Sequence, residues 1–164
     1  MTAHRRIKIT MNFTNKILLA IGIIFIAIQF IQPAHNENSR ASATDISKIV
    51  SIPDSVQSIL NNACYDCHSN NTSYPWYSNI QPMGWLMANH ISEGKEALNF
   101  SVFGSYSPRK QLSKLNGIAN SIKDDIMPLS SYKLMHKNAR LSANEKTLFI
   151  NWALQSQDSL SAKK

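Results

Sequence analysis

Cys64-Tyr65-Asp66-Cys67-His68 is the segment whose residue types and spacing could do chemistry. The chain has two cysteines, three positions apart. A disulfide between them would close too short a loop to remove much chain entropy. The pair therefore points to redox, metal or covalent attachment chemistry. A dithiol redox pair of the thioredoxin type needs a βαβ pattern around it, and no alternating strand of useful length is legible. A closed zinc site needs four ligands. Cys64, Cys67, His90 and His136 could supply them, although no second closely spaced pair follows. The histidine directly after the second cysteine favours the third chemistry, covalent attachment of haem. Two thiolates add across the two vinyl groups, and the two-residue spacer sets their reach. His68 then lies beneath the ring with an imidazole nitrogen toward the iron.

An electron-transfer haem has a second axial ligand, and methionine opposite histidine raises its potential. Met83, Met87, Met127, Met135, His90 and His136 are the candidates. Met83, Met87 and His90 share a helical face, where methionine is commonly core filler. Met135 and His136 are adjacent, so at most one of them points inward. Met127 is the favoured ligand and His90 the next. Met127 precedes Pro128 at a helix end, and it lies sixty residues after Cys67, enough chain to return on the opposite ring face.

The elements that must position these residues read as helices. After Pro53, the residues Val56, Ile59, Leu60 and Ala63 recur at three- and four-residue steps and lead into Cys64. Residues 69–81 form an irregular loop carrying Tyr74, Trp76, Tyr77 and Ile80, enough apolar surface to pack over a ring. Pro82 opens a helix with Met83, Leu86, Met87, His90 and Ile91 on one face, limited near Gly94 and Asn99-Phe100-Ser101. Ser107-Pro108 is an N-cap with proline at the first helical position, and Leu112, Leu115, Ile118, Ala119 and Ile122 carry that helix to about residue 125. Met127-Pro128 stops it. Ser142-Ala143-Asn144-Glu145 is a capping box before a helix with Leu148, Phe149, Trp152 and Ala153 inward. The expected fold class is all-α, a helical domain around one covalent haem, preceded by an N-terminal membrane segment.

That segment begins with Arg5, Arg6, Lys8 and Lys16, followed by an apolar run of fifteen residues from Ile17 to Ile31, interrupted by Gln29. Basic residues before an apolar run mark an export signal or anchor, with the chain beyond it across the membrane. The run is shorter than the roughly 20 residues of a comfortable span. A small-x-small cleavage pattern first occurs at Ala41-Ser42-Ala43, so an uncleaved anchor is favoured. The expected organisation is a cytoplasmic basic segment (1–16), a signal anchor (17–31), a linker (32–51), a haem domain (52–157) and a tail (158–164). From Thr44 onward there are twelve basic and nine acidic residues, scattered without a stripe, which excludes a nucleic-acid surface.

Several stretches resemble the bacterial haem-binding-domain family. They are Cys64-Tyr65-Asp66-Cys67-His68-Ser69-Asn70, Tyr74-Pro75-Trp76-Tyr77, Asn79-Ile80-Gln81-Pro82, Gly94-Lys95, Leu98-Asn99-Phe100-Ser101, Met127-Pro128-Leu129-Ser130-Ser131-Tyr132 and the Trp152 helix. The order of elements also resembles class I cytochrome c, in which the first and last helices cross beside the haem. The resemblance implies covalent attachment at Cys64 and Cys67 and a proximal ligand at His68. Met127 matches the family's Met-Pro turn, and the broader cytochrome likeness implies a second axial ligand there. One haem c as cofactor, electron transfer to redox partner proteins rather than enzymatic turnover, and a single-pass inner-membrane protein with its haem domain in the periplasm are the resulting expectations. The alternative is a haem-based sensor or peroxidase-like enzyme with an open or displaceable sixth site.

Overall fold

The computed structural model describes residues 11–38 and 42–162. Arg5, Arg6, Lys8, Arg40, the cleavage pattern's Ala41 and the last two residues of the tail lie outside the described residues. Among the described residues there are seven helices: α1 (Phe13–Ile28), α2 (Asp54–Ala63), α3 (Tyr65–His68), α4 (Met83–Ala97), α5 (Pro108–Lys123), α6 (Ser130–Met135) and α7 (Ala143–Ser161). Short 3-10 turns cover Ile46–Lys48, Trp76–Asn79, Phe100–Ser105 and Lys137–Ala139. Among the described residues the sole β feature is an isolated bridge between Glu37 and Asn71, so the fold is all-helical.

Local chemistry sets the helix starts. Ser107 caps α5 by accepting from the backbone N–H of Lys110, with Pro108 at the first helical position. Ser142 and Glu145 form a reciprocal capping box on α7. Both helices then bury one stripe: Leu115, Ile118, Ala119 and Ile122 on α5, and Phe149, Trp152, Ala153 and Ser156 on α7. These two helices pack along one another, and α2 packs against α7. Phe149 and Trp152 stack at 5.3 Å, and the Trp152 indole donates to the Ser51 carbonyl at 2.9 Å, which fastens α7 to the chain entering α2. Each such fully buried large side chain contributes about 1.5–3 kcal/mol of transfer free energy.

Four features differ from the sequence expectation. The apolar run forms a helix of 16 residues, Phe13–Ile28, and Gln29–Ile31 leave it in a turn. No helix of the described residues is long and apolar enough to cross a membrane. Within the expected linker, the described residues 32–38 and 42–51 touch the domain. Asn36 and Asn38 pair with Thr72 and Asn70 through the backbone, and Ile46 and Val50 join the core. A polar-looking stretch is thus pinned by two isolated apolar side chains that carry no periodic signal. On α4 the buried residues are Gly84 and Ile91, whereas Met83 and Leu86 are exposed, because α4 meets the rest of the domain along its small-residue side. Helix α7 runs beyond residue 157 to Ser161, with Leu160 packed against the core.

Candidate functional site

The site starts at the end of α2. Cys64 is its C-terminal cap, and the single turn of α3 follows at once, closed by the His68 N–H donating to the Cys64 carbonyl at 2.9 Å. Cys64, Cys67 and His68 thereby project from one turn. All three line a cavity of about 390 Å³, within the roughly 300–1,000 Å³ of cofactor pockets. Its walls are mainly apolar, with Phe100, Ile118, Ile122 and Phe149 among them.

The orientation of His68 is set by backbone atoms. Its Nδ1 lies 2.8 Å from the Gly94 carbonyl and 2.9 Å from the Leu98 carbonyl. Both partners are acceptors, so Nδ1 carries the proton and Nε2 keeps its lone pair. That is how second-shell carbonyls prepare an imidazole to bind a metal. Gly94 makes this approach possible: a Cβ there would stand 2.6 Å from the Cys67 carbonyl oxygen. The glycine therefore sits inside α4 and does not end it, as the sequence suggested. The Phe100 ring meets His68 edge-on at 6.2 Å.

Another part of the cavity wall comes from α5 and the turn after it. Asp125 adopts a left-handed φ of 55°, a conformation that aspartate tolerates better than branched residues. The N–H of Asp125 donates to Ile122 O, and those of Ile126 and Met127 both donate to Ser121 O at 3.0 and 3.1 Å. This is a Schellman-type end to α5. Lys146 of α7 forms an ion pair with Asp125. The turn brings Met127 to the cavity, half-buried against the core.

Of the six candidates for a second ligand, Met127 and His90 line this cavity. Met83 and Met135 are exposed. His136 is engaged elsewhere, with Nε2 2.7 Å from the Tyr77 hydroxyl and its ring stacked on Tyr132. Met87 is not among the lining residues. His136 is also absent from the lining, so the zinc set of Cys64, Cys67, His90 and His136 does not converge there. Among the described residues no group of three or more metal-ligating His, Cys, Asp or Glu side chains forms a metal site.

The aromatic loop does not cover the cavity. Tyr74 stacks on His35 at 4.1 Å and accepts from the Asn36 N–H at 2.6 Å, while Trp76 points to solvent. Tyr74 thereby clamps the incoming N-terminal segment. The residues that sequence reasoning missed are Gly94 and Leu98, which act through their carbonyls, and Tyr132, whose hydroxyl reaches Asp66 inside the motif. All three lay in the stretches quoted for the family resemblance, yet nothing in their types announced these contacts.

Burial and the neighbouring Cys67 push the Cys64 thiol up to about 12. Burial and Asp66 push Cys67 up to about 11. Both thiols are neutral at pH 7, opposite to the activated thiolate of a dithiol redox pair.

A haem fits these residues on three grounds. Two thiols and an imidazole with a free Nε2 share one wall, a thioether reaches the same cavity from another, and the space between is apolar. In addition, Gly117 lines the cavity in mid-α5, where a Cβ would meet no protein atom within 4 Å. A glycine inside a helix costs about 1 kcal/mol relative to alanine, and here no protein packing demands it. The open space beside it suits the edge of a flat ring. Searches of curated proteins and of solved structures return no match. Residues 23–155, most of the chain and including every site residue above, match the haem-binding domain family, and the chain belongs to that family.

Proposed function

We propose that this haem-binding protein is a c-type cytochrome carrying one haem and passing electrons to partner proteins on the exported side of a membrane, where its N-terminal segment holds it. The observation that carries this reading is the convergence of Cys64, Cys67, His68 and Met127 on one cavity, with Nδ1 of His68 already committed to carbonyls. Cys64 and Cys67 would hold the ring through thioethers, His68 would offer Nε2 to the iron, and Met127 would offer its sulfur from the α5–α6 turn. His90 lines the same cavity from α4, the helix whose Gly94 carbonyl holds His68. The packing of α2 against α7 agrees with a class I cytochrome c arrangement. When bound, the group supplies one-electron chemistry at its iron. The protein's own part is to bury the ring, exclude water and hold both axial groups.

The decisive experiment is expression of the full chain in a host with cytochrome c maturation, followed by acid-acetone extraction and a pyridine haemochrome spectrum. Colour is expected to stay with the polypeptide, and an extractable or missing pigment overturns covalent attachment. The reduced protein is expected to be six-coordinate and low-spin, and Met127→Ala to be high-spin. A low-spin spectrum in that variant removes Met127 from the role. Rapid carbon monoxide binding by the unmodified reduced protein supports instead a sensor or peroxidase-like site.

A further inference from the structure

Helix α1 buries none of its side chains, and Leu18, Leu19, Ile23 and Ile24, which at 3.6 residues per turn point all around it, are exposed. A helix apolar all round belongs in an apolar phase rather than in water. Yet its 16 residues span about 24 Å at 1.5 Å per residue, less than the roughly 30 Å of a bilayer's hydrocarbon core. A helix too short for its bilayer draws whatever flanks it toward the hydrocarbon.

What flanks α1 is fixed. Gln29 Nε2 donates to the Gln81 carbonyl at 3.2 Å, and the Gln81 N–H donates to Gln29 Oε1 at 2.9 Å. Gln81 Nε2 donates to Gln32 Oε1 at 2.8 Å, and Gln32 Nε2 to the Asn79 carbonyl at 3.1 Å. The Trp85 indole donates to the Ile31 carbonyl at 2.9 Å. Gln81 is fully buried among these contacts. The end of α1 is thus clasped by the 3-10 turn and the first turn of α4, so that the helix and this part of the domain move together.

The clasped part has the composition of a lipid interface. Neither residues 17–36 nor residues 69–92 contain a Lys, Arg, Asp or Glu, so no formal charge would be desolvated there. Phe30 is 85% exposed and Trp76 76% exposed, and Ile80, Met83 and Leu86 are exposed beside them in sequence. Tyr74, Trp76, Tyr77 and Trp85 provide the amphipathic rings that favour the headgroup level.

We infer that the exposed apolar side chains of Trp76, Ile80, Met83 and Leu86, on the segment clasped to the end of α1, dock into the headgroup region of the same bilayer that takes up α1, supplying the apolar length that α1 lacks. This rests on the reading of the N-terminal segment as a membrane segment and is independent of haem attachment. It gives the domain one orientation on the lipid, with α4 leading from the docked face to the carbonyl of Gly94 that holds His68.

The test uses the full, haem-loaded chain in phosphatidylcholine vesicles. Met83 is replaced by a diazirine-bearing amino acid, and Leu154, exposed on α7, is replaced in a control chain. After illumination, lipid adducts are expected at position 83 and not at 154. Adducts to water alone at position 83, or to a second copy of the chain, overturn the docking while leaving the membrane segment standing if the chain still floats with the vesicles. Failure to float overturns both readings. Should the substitution at 83 abolish the haem absorbance, the same measurement at Leu86 decides.

Discussion

The Tyr132 hydroxyl donates to Oδ2 of Asp66 at 2.6 Å, joining the segment that carries Met127 to the centre of the C-x-x-C-H turn. The other carboxylate oxygen of Asp66 accepts from the Ser73 N–H at 2.9 Å, and its carbonyl accepts from the Thr72 hydroxyl at 2.6 Å. Burial and then Asp66 push the Tyr132 hydroxyl well above the ordinary tyrosine range, so it stays a donor. One aspartate between the two cysteines thus holds the loop after the motif and the segment after Met127.

Tyr132→Phe keeps the ring and its stacking on His136 but removes that bond. A hydrogen bond to a charged group contributes about 1.5–3 kcal/mol, and the lower end is expected because Asp66 keeps its other partners. Urea unfolding measures this cost. In the haem-loaded protein the segment carrying Met127 should loosen, so that carbon monoxide binds the reduced variant faster. An unchanged binding rate would show that Tyr132 supports stability alone.

Two glycines on the cavity should respond oppositely to alanine. Gly94→Ala places a Cβ against the Cys67 backbone, and overpacking of this kind costs about 1–3 kcal/mol. It also shifts a carbonyl that orients His68. Gly117→Ala meets no protein atom and should stabilise the haem-free chain by up to about 1 kcal/mol through helix propensity. Because Gly117 lines the cavity, the added methyl should also lower haem incorporation. Thermal melts of the haem-free chains, together with haem-to-protein ratios after maturation, check both halves. Full haem loading of Gly117→Ala would place the ring edge elsewhere.

The raised cysteines predict an alkaline instability that is larger in the haem-free chain than in the loaded one. Each thiol has an ordinary value of 9.0, raised to about 12 at Cys64 and about 11 at Cys67. As pH rises past the ordinary value, the unfolded chain loses these protons first. The stabilisation is therefore complete below about pH 9 and is lost as pH climbs through the folded values. Thioether formation removes both protons from the balance. Tyr65, raised to about 12 chiefly by burial, contributes equally to both forms. Urea midpoints at about pH 8 and about pH 10 should diverge for the haem-free chain more than for the loaded one. Parallel curves would mean that the cysteines are not the titrating groups.

Asp125 tests the turn that presents Met127. Glycine removes the steric cost of a positive φ, whereas valine meets it in full. Asp125→Gly loses the ion pair with Lys146 but should keep the low-spin spectrum of the loaded protein. Asp125→Val should lower the melting temperature and increase the high-spin fraction. Equal spectra for both variants would show that the left-handed turn does not aim Met127.

What the amino-acid sequence determined by itself is what acts within a helical turn. The C-x-x-C-H spacing brings two thiols and an imidazole onto one turn whatever the rest of the fold does. Ser107 with Pro108, and Ser142 with Glu145, start their helices through bonds three residues long, and the apolar steps of α5 and α7 mark the faces that pack. Tertiary structure decided the remainder. The partners of His68 are carbonyls of Gly94 and Leu98, groups that every residue carries and no side chain advertises. Met127 and His90 line the cavity while Met83, Met135 and His136 do not, because each position depends on how whole helices pack. Ile46 and Val50 became core for the same reason, since burial is set by what arrives from distant sequence. The aromatic loop that looked suited to cover a ring is engaged elsewhere, because Tyr74 accepts from the Asn36 N–H of the N-terminal segment and Tyr77 bonds His136, and neither tyrosine lines the cavity.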